Sequence, residues 1–274
     1  IRGESGDLSF PRHVAMRFSV IVPNYNGRKT LAEALAALRR AEPPPDEIVV
    51  SDDGSTDGSE KIAAGFGARL VRSDSCRGAS ANRNAGAAAS SGEILVFVDS
   101  DVLIPPAAFA VLAERFADPA RAAVIGLLQP TIRFGDLFSQ YKNFYMHYTY
   151  ALLPDEVTVF YTSIAAVRAN VFRECGGFDP RYRSATIEDM EMGVRMTSRG
   201  HRIAIDRRLQ VEHVKRYSFS LLLRTAFRRA AGLSKIALRD RLSREEKTAY
   251  VTTSRSFLAG IALSWLALAG LAAA

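Results

Sequence analysis

Residues 92–102 read GEILVFVDSDV, an apolar run that ends on two aspartates, Asp99 and Asp101. A short, continuous apolar run of this kind is typical of a buried strand. Two carboxylates fixed where such a strand ends suit a hard cation such as Mg²⁺, which proteins hold with one or two carboxylates plus substrate phosphates. In an isolated loop the same triplet is more often a solvated turn. Its place at a strand end favours a site for a cation that carries a nucleotide diphosphate.

Around this strand, apolar runs alternate with helical patterns, which predicts an α/β fold with a mostly parallel central sheet flanked by helices. Further strands are predicted at residues 17–22 (ended by Pro23), 47–51 and 69–72. Helices are predicted around the leucines at 31, 35 and 38, and at 59–66 and 81–89. Ligands in open parallel sheets bind beyond the carboxyl ends of the strands, so we expect three segments to meet there: 23–26, 52–54 and 99–101.

The second half of the chain has a looser pattern. Residues 138–150, FSQYKNFYMHYTY, are aromatic but too polar for a membrane span. They predict either an aromatic core helix or a wall that faces an acceptor. Ordered structure is expected again at 162–168, and then a helix at about 188–199 that Thr186 caps and Gly200 closes.

A second acidic turn, DDGSTDGS, begins with Asp52 and Asp53 directly after the predicted strand 47–51. Asp, Ser and Gly are also the usual residues of a tight turn with a helix cap. Because another acidic strand end is expected beside it, a functional turn is favoured. A carboxylate there can accept hydrogen bonds from a base N–H or a ribose hydroxyl, and the glycine permits close approach.

Composition sets broad limits on the function. The chain has 274 residues, 48% hydrophobic and 24% charged, which is ordinary for one large or two small globular domains. Its net charge is +7, much of it between Arg199 and Arg255, so nucleic acid, an anionic membrane and phosphorylated substrates are all candidate partners. Two cysteines, Cys76 and Cys175, make no disulfide framework, and this favours a reducing compartment.

Taken together, five segments resemble glycosyltransferase family 2, which has the GT-A fold. They are SVIVPNYNG (19–27), EIVVSDDGSTDGS (47–59), ANRNAGAAASSGEILVFVDSDV (81–102), GGFDP (176–180) and the pair Glu188-Asp189. Their order and spacing are far more specific than any one of them, and the resemblance covers about residues 17–214. It implies a GT-A type fold, a nucleotide-sugar donor (a UDP-sugar foremost), Mg²⁺ or Mn²⁺ as cofactor, and inversion at the anomeric carbon.

The resemblance also implies roles for individual residues near the strand ends. Four of them would line the nucleotide pocket: Pro23, Tyr25, Asp52 and Asp53. Arg83 would approach the base or the diphosphate. Asp101 would be the main metal ligand, and Asp99 would contact sugar, ribose or metal.

The acidic pair is the candidate catalytic site. By resemblance, Asp189 would take the proton of the acceptor hydroxyl. Its neighbour Glu188 is like-charged and would tend to raise one carboxyl pKa, whereas the start of a helix would lower it. An acidic first turn that only complements the helix dipole is the alternative. His213, in VEHVKRYS, is either structural or part of the metal or diphosphate site, and the sequence leaves both open.

The last part of the chain is expected to meet a membrane. Residues 219–239 have an apolar side and a basic side, typical of a helix in the headgroup layer, although packing on the α/β domain is the alternative. Residues 256–274, SFLAGIALSWLALAGLAAA, are uncharged and near the length of about 20 residues that spans a bilayer. A buried helix is the alternative there, but no polar face supports it.

These patterns divide the chain into four predicted parts. They are an N-terminal tail (1–15), a GT-A catalytic domain (16–215), a basic amphipathic helical region (216–255) and a membrane segment that the chain end truncates (256–274). Basic residues flank the last part, so the catalytic domain is expected on the cytoplasmic side.

Other functions fit the sequence less well. Processive polysaccharide synthases of the family carry Gln-x-x-Arg-Trp, whereas the comparable region here reads LLLRTAFRRAAG. Transfer of a single sugar to a hydroxyl or phosphate of a lipid-linked acceptor therefore fits better than a processive enzyme. A non-catalytic membrane scaffold that binds nucleotide sugars is a further alternative. The first turn, PNYNGRK, lacks the glycine pattern of nucleotidyltransferases and of dinucleotide dehydrogenases, and no nucleic-acid partner is expected.

Overall fold

The structure is a computed structural model that describes residues 16–183 and 187–243. The predicted tail (1–15), the predicted cap Thr186 and the predicted membrane segment (256–274) lie outside the described residues, as do residues 244–255. The four-part division of the chain stays a prediction.

The first half alternates strands and helices as predicted. Its strands are β1 (Phe18–Asn24), β2 (Glu47–Asp52), β3 (Arg69–Arg72) and β4 (Ile94–Val98). Its helices are α1 (Leu31–Arg39), α2 (Ser59–Gly65) and α3 (Ala79–Ala89). The leucines at 31, 35 and 38 are completely buried, because their spacing places them on the side of α1 that faces the sheet.

The second half adds shorter and less regular elements. Its strands are β5 (Val102–Leu103), β6 (Arg121–Leu128), β7 (Glu156–Val157), β8 (Ile164–Arg168) and β9 (Arg202–His213). Its helices are α4 (Ala108–Phe116), α5 (Leu137–Ala151), α6 (Ala169–Glu174), α7 (Glu188–Ser198) and α8 (Phe219–Ser243). Gly200 follows α7 with φ +84°, which is the left-handed end that the sequence predicted.

Within the described residues, all these strands join one sheet in the order β3-β2-β1-β4-β8-β6-β9-β5, and β7 pairs with β9. The pairs from β3 to β4 and the pair β6–β9 are parallel, whereas β5, β7 and β8 run antiparallel to their neighbours. The predicted α/β fold with a mostly parallel, helix-flanked sheet is confirmed. Both cysteines are free.

Pro23 does not end the first strand, contrary to our prediction. Strand β1 continues to Asn24, with Pro23 opposite Ser51 of β2. On its other side β1 pairs with β4 only as far as Ile21. After Ile21, β1 has no paired residue on the β4 side among the described residues, so no hydrogen bond there requires the N–H that Pro23 lacks. The strand can therefore contain this proline.

Aromatic rings pack the core directly beneath the strand that carries Asp99. Phe97 of β4 is completely buried, and its ring lies 5.2 Å from the ring of Phe178 and 5.4 Å from that of Phe172. Tilted and edge-to-face ring pairs at such distances are favourable beyond the area that they bury. This packing fixes the turn that contains Phe178 against the strand end.

Helix α5 is not an aromatic core helix, because most of its rings face away from the protein. Tyr141, Phe144, Tyr145 and Tyr148 are 44–56% exposed, whereas Met146 and Tyr150 are buried. The exposed rings recur every three or four residues, so they form one stripe along the helix. Stacking pairs Tyr141 with Tyr145 and Phe144 with Tyr148.

Helix α8 lies beside α5 and continues this surface. The ring of Phe219 lies 5.5 Å from that of Phe138, and Phe219, Leu223 and Phe227 are 52–56% exposed. We call the exposed side chains of α5 and α8 the aromatic face. In the part of the chain that the structure describes, no helix is long and apolar enough to span a bilayer.

Gly193 allows α7 to approach the segment 158–160 closely. A methyl group at this position would lie 2.5 Å from the carbonyl oxygen of Thr158 and 2.6 Å from the amide nitrogen of Phe160. Both atoms belong to the backbone, so they cannot move aside without shifting the segment. The close approach therefore fixes the position of α7, and with it the acidic pair at its start.

Gly193→Ala is expected to lower the free energy of unfolding by about 1–3 kcal/mol, because overpacking forces the backbone apart. Gly65→Ala in α2 is the matched control, since a methyl group there meets no atom within 4 Å. The control is expected to be neutral or to stabilise by up to about 1 kcal/mol. Urea unfolding of both variants measures the difference, and equal stabilities would contradict the packing described here.

Candidate active site

The carboxyl ends of β1, β2 and β4 meet at one edge of the sheet, as the sequence predicted. The side-chain amide of Asn24 donates to Oδ1 of Asp52 at 2.7 Å, and the N–H of Asp53 donates to the carbonyl of Asn24 at 2.9 Å. A methyl group on Gly27 would lie 3.2 Å from Oγ of Ser100, so the end of β4 is also close.

Asp52 is held entirely by the protein. It is completely buried, and its carboxylate accepts hydrogen bonds from Asn24 and from the N–H and hydroxyl of Ser55. A buried carboxylate needs such partners to offset the loss of water. These hydrogen bonds make Asp52 part of the internal structure of the acidic turn. The nucleotide contact that the resemblance implies for Asp52 stays a prediction.

Asp53 is also buried, and it holds a different loop. Its two oxygens accept from the backbone N–H groups of Arg77 at 2.9 Å and Gly78 at 2.8 Å, and from the thiol of Cys76 at 3.2 Å. It therefore fixes the loop before α3. Tyr25, in contrast, is 55% exposed just beyond β1, and Pro23 is half-buried at the end of that strand.

The GGFDP turn and α3 are locked together by a pair of hydrogen bonds. The side-chain amide of Asn84 donates to the carbonyl of Phe178 at 2.7 Å, and its oxygen accepts from the N–H of Phe178 at 2.9 Å. Gly177 has φ +68°, and a side chain there would collide with Asn84. The two motifs are distant in sequence, and this contact holds them together in the fold.

Arg83 of α3 joins the two acidic motifs. Its guanidinium donates to Oε1 of Glu188 at 2.7 Å and to Oδ1 of Asp99 at 2.8 Å, while only 3% of its side chain is exposed. It also lies 5.7 Å from the centre of the Phe178 ring. Arg83 is thus enclosed between two carboxylates, and the base or diphosphate contact that the resemblance implies stays a prediction.

Asp101 lies beside two basic side chains. Nε2 of His213 is 3.3 Å and Nζ of Lys215 is 3.8 Å from its Oδ2. Burial acts to raise the pKa of Asp101, but the interactions with His213 and Lys215 outweigh it and lower that pKa to about 2. The pKa of Asp99 is instead raised, because burial and the nearby Asp101 charge outweigh Arg83. The structure therefore places His213 beside the predicted metal ligand.

The pKa of Asp189 is shifted in the direction opposite to that of Asp101. Burial and the charge of Glu188 raise its pKa to about 7, although Arg229 and Arg83 act to lower it. Its Oδ1 accepts from the N–H of Met190 at 2.8 Å. Glu188, which we assigned to the same catalytic pair, is buried and holds Arg83, so its place is that of a positioning group.

A cavity of about 120 Å³ adjoins these residues between α5, α8 and the segment after β9. Its basic lining residues are Lys142, His213, Lys215 and Arg229. Sequence reasoning missed Lys142 and Arg229 because nothing in their local pattern sets them apart from other helical cations. Among the three cavity cations Lys142, Lys215 and Arg229, only Lys215 had a local signal in the sequence, because it lies two residues after the predicted site residue His213.

The residues at the end of β4 fit a divalent cation. Asp101 is ionised at neutral pH, as a metal ligand must be, and His213 offers a ring nitrogen on the same side. Across the described ranges, no three His, Cys, Asp or Glu side chains lie close enough to hold an ion by themselves. Donor phosphates would have to supply the other ligands, which is the usual arrangement for Mg²⁺.

Solved structures share this fold. The mannosyltransferase PcManGT from Pyrobaculum calidifontis, in complex with GDP-Man and Mn²⁺, aligns with a TM-score of 0.66 at 24% identity, over 88% of this chain and 70% of that one. Staphylococcus aureus TarS (residues 1–349) in complex with UDP-GlcNAc aligns with a TM-score of 0.58 at 21% identity, over 75% and 60%. At these identities the likeness shows the fold.

The sequence comparisons show the family. The model of glycosyl transferase family 2 matches residues 19–176, more than half of the chain, so this protein belongs to that family of enzymes and the predicted membership is confirmed. Validoxylamine A glucosyltransferase of Streptomyces hygroscopicus subsp. limoneus is 28% identical over 71% of this chain and 51% of its own length. The O-antigen chain rhamnosyltransferase RfbN of Salmonella typhimurium is 27% identical over 74% and 68%. The chain thus spans about half to two thirds of these relatives.

Proposed function

We propose that this protein transfers a single sugar, with inversion and with the help of a divalent metal, from a nucleotide-sugar donor to a hydroxyl or phosphate of a lipid-linked acceptor. The observation that carries this proposal is that Arg83 joins Glu188, the chain neighbour of Asp189, to Asp99 at the end of β4. In this setting the pKa of Asp189 is raised to about 7, whereas that of Asp101 is lowered to about 2. Two carboxylates with opposite pKa shifts divide the roles of proton acceptor and charged ligand.

Asp189 is suited to act as the general base. A group whose pKa lies near the working pH is partly ionised and still basic enough to accept a proton. As the acceptor oxygen bonds to the anomeric carbon, its proton passes to Asp189. The bond from that carbon to the diphosphate breaks, and its electron pair leaves with the nucleotide. A single displacement of this kind inverts the anomeric centre.

Asp101, Asp99 and His213 are the residues that would hold Mg²⁺ or Mn²⁺. When bound, the ion would stabilise the negative charge that develops on the leaving diphosphate. The geometry of Asp101, ionised and 25% exposed beside His213, supports this assignment. The Mn²⁺ in the PcManGT complex supports it as well.

The donor is proposed to be a UDP-sugar. UDP-GlcNAc in the TarS complex supports that choice, while GDP-Man in PcManGT shows that the same fold accepts another base. The pocket would lie over the acidic turn, with Tyr25 exposed above it and Asp53 fixing the loop at 76–78.

The aromatic face supports a membrane location. Tyr and Phe side chains together with arginines favour the boundary between headgroups and acyl chains. Exposed Arg224 and Arg228 lie on α8 among the exposed apolar side chains of that helix. The uncharged segment 256–274 follows along the chain. A lipid-linked acceptor would then reach the site from the membrane surface, with the catalytic domain on the cytoplasmic side.

Asp189→Asn is expected to lower sugar transfer about 10²–10⁴-fold, because the base is lost, while donor binding is kept. Asp101→Ala is expected to weaken donor binding in Mn²⁺ by about tenfold or more. Calorimetric titration with UDP-sugars and a radiolabelled transfer assay measure the two effects. Asp155→Asn, at an exposed carboxylate, is the matched control. Normal transfer by the Asp189 variant would contradict the proposed base.

The membrane location is tested by fluorescence. The chain has one tryptophan, Trp265, so Trp265→Phe gives a background for single probes. Phe144→Trp places a probe on the aromatic face, and Leu70→Trp places a control on β3 at the other edge of the sheet. Vesicles with brominated acyl chains are expected to quench the first probe and not the second, because bromine quenches only at contact depth. Equal quenching of both probes, or of neither, would contradict the location.

A further inference from the structure

The cavity between α5 and α8 contains more positive charge than the lining residues that the structure describes can balance. Lys142, Lys215 and Arg229 all line it. Asp101 lies 3.8 Å from Lys215, and the charge of Asp189 reaches Arg229, but neither carboxylate lines the cavity. The neutral polar lining consists of hydroxyl and amide groups on Ser139, Asn143, Tyr161, Tyr217 and Thr225.

Lys142 is the cation with the poorest compensation. Its half-buried ammonium lies 3.4 Å from the sulfur of Met146 and 5.6 Å from the centre of the Tyr145 ring. Both are weak partners for a full positive charge. Burial, together with the charges of Arg229 and Lys215, lowers the pKa of Lys142 to about 8. Like charges that share a desolvated cavity repel each other, so an anion placed among them would relieve this cost.

The cavity can contain a small oxyanion. Its volume of about 120 Å³ compares with the roughly 10–15 Å³ that one water requires on the same basis. Ammonium and guanidinium groups with adjacent hydroxyls are the donors that phosphate oxygens prefer.

The cavity also has a defined position relative to the reaction. His213 and Lys215 lie on the side of Asp101, and Arg229 lies 3.9 Å from the sulfur of Met190, the residue that follows Asp189. Its walls are α5 and α8, whose outer sides form the aromatic face. An anion held there would be close to the base and to the surface proposed to face lipid.

We propose that this cavity binds a phosphate group of the acceptor, so that the acceptor is a lipid-linked phosphate with a reacting hydroxyl farther along the molecule. This inference rests on the proposed function, because it names the acceptor class of the same site. The phosphate is an anchor between α5 and α8, and the hydroxyl lies at Asp189. The donor diphosphate is a second possible source of the same oxyanion, and the test separates the two.

The test uses the full chain in neutral detergent micelles and three probes: farnesyl phosphate, farnesol, and UDP with Mn²⁺. The wild-type protein is expected to bind farnesyl phosphate more tightly than farnesol. Lys142→Met keeps the length of the side chain and removes its charge. It is expected to raise the Kd for farnesyl phosphate about tenfold and to change the Kd for UDP less than about twofold, since a charge-assisted contact is lost to one ligand only.

Two further variants keep the result interpretable. Lys142→Arg retains the charge and is expected to restore most of the affinity for farnesyl phosphate. Lys61→Met, at an exposed lysine of α2, is the matched control and is expected to change neither Kd.

Four results would overturn the inference. They are equal binding of farnesol and farnesyl phosphate, no binding of farnesyl phosphate by the wild-type protein, an unchanged Kd in Lys142→Met, and a larger loss for UDP than for farnesyl phosphate. The last result would assign the cations to the donor diphosphate. Hydrolysis of UDP-sugars by the same wild-type preparation reports on the proposed function separately, so the failure of one is distinguishable from the failure of the other.

Discussion

The site depends on one buried ion pair network, in which Arg83 holds Glu188 and Asp99 at the same time. The three residues come from α3, α7 and the end of β4, and the guanidinium joins these three elements through its two hydrogen bonds. A buried cation is stable only when its partners stay in place, and loss of one partner typically costs about 3–5 kcal/mol. The network therefore sets the distance between the acidic pair and the strand end that is proposed to bind a metal ion.

Because Arg83 is occupied by Glu188 and Asp99, its charge only partly compensates Asp189. Desolvation and the Glu188 charge then prevail, and the pKa of Asp189 rises to about 7. The pKa of Asp101 shifts in the opposite direction, because His213 and Lys215 lie within 4 Å of its carboxylate and keep it ionised. One strand end and one helix start thus hold two aspartates whose pKa values are shifted in opposite directions. That difference is what a base and a metal ligand require.

The sequence predicted the regular half of the fold and the main acidic residues, because both depend on local signals. Strand-end carboxylates and the leucine spacing of α1 are examples. It failed where the outcome depends on tertiary context. The exposure of Tyr141 and Phe144 depends on what packs against α5, and the cavity cations, Lys142 above all, come together only when α5 meets α8. The hydrogen bond from Asn24 to Asp52 was equally invisible, because Asn24 lies on a different segment.

The most direct test of this account is the titration of the Asp189 carboxyl. Carbon-13 NMR of protein labelled at aspartate, with the signal assigned by its loss in Asp189→Asn, gives the pKa of this group. The account predicts a midpoint near 7, and a lower one in Glu188→Gln, since removal of the like charge favours ionisation. A midpoint near the ordinary value of 3.8, unchanged by that substitution, would contradict the proposed division of roles between the two aspartates.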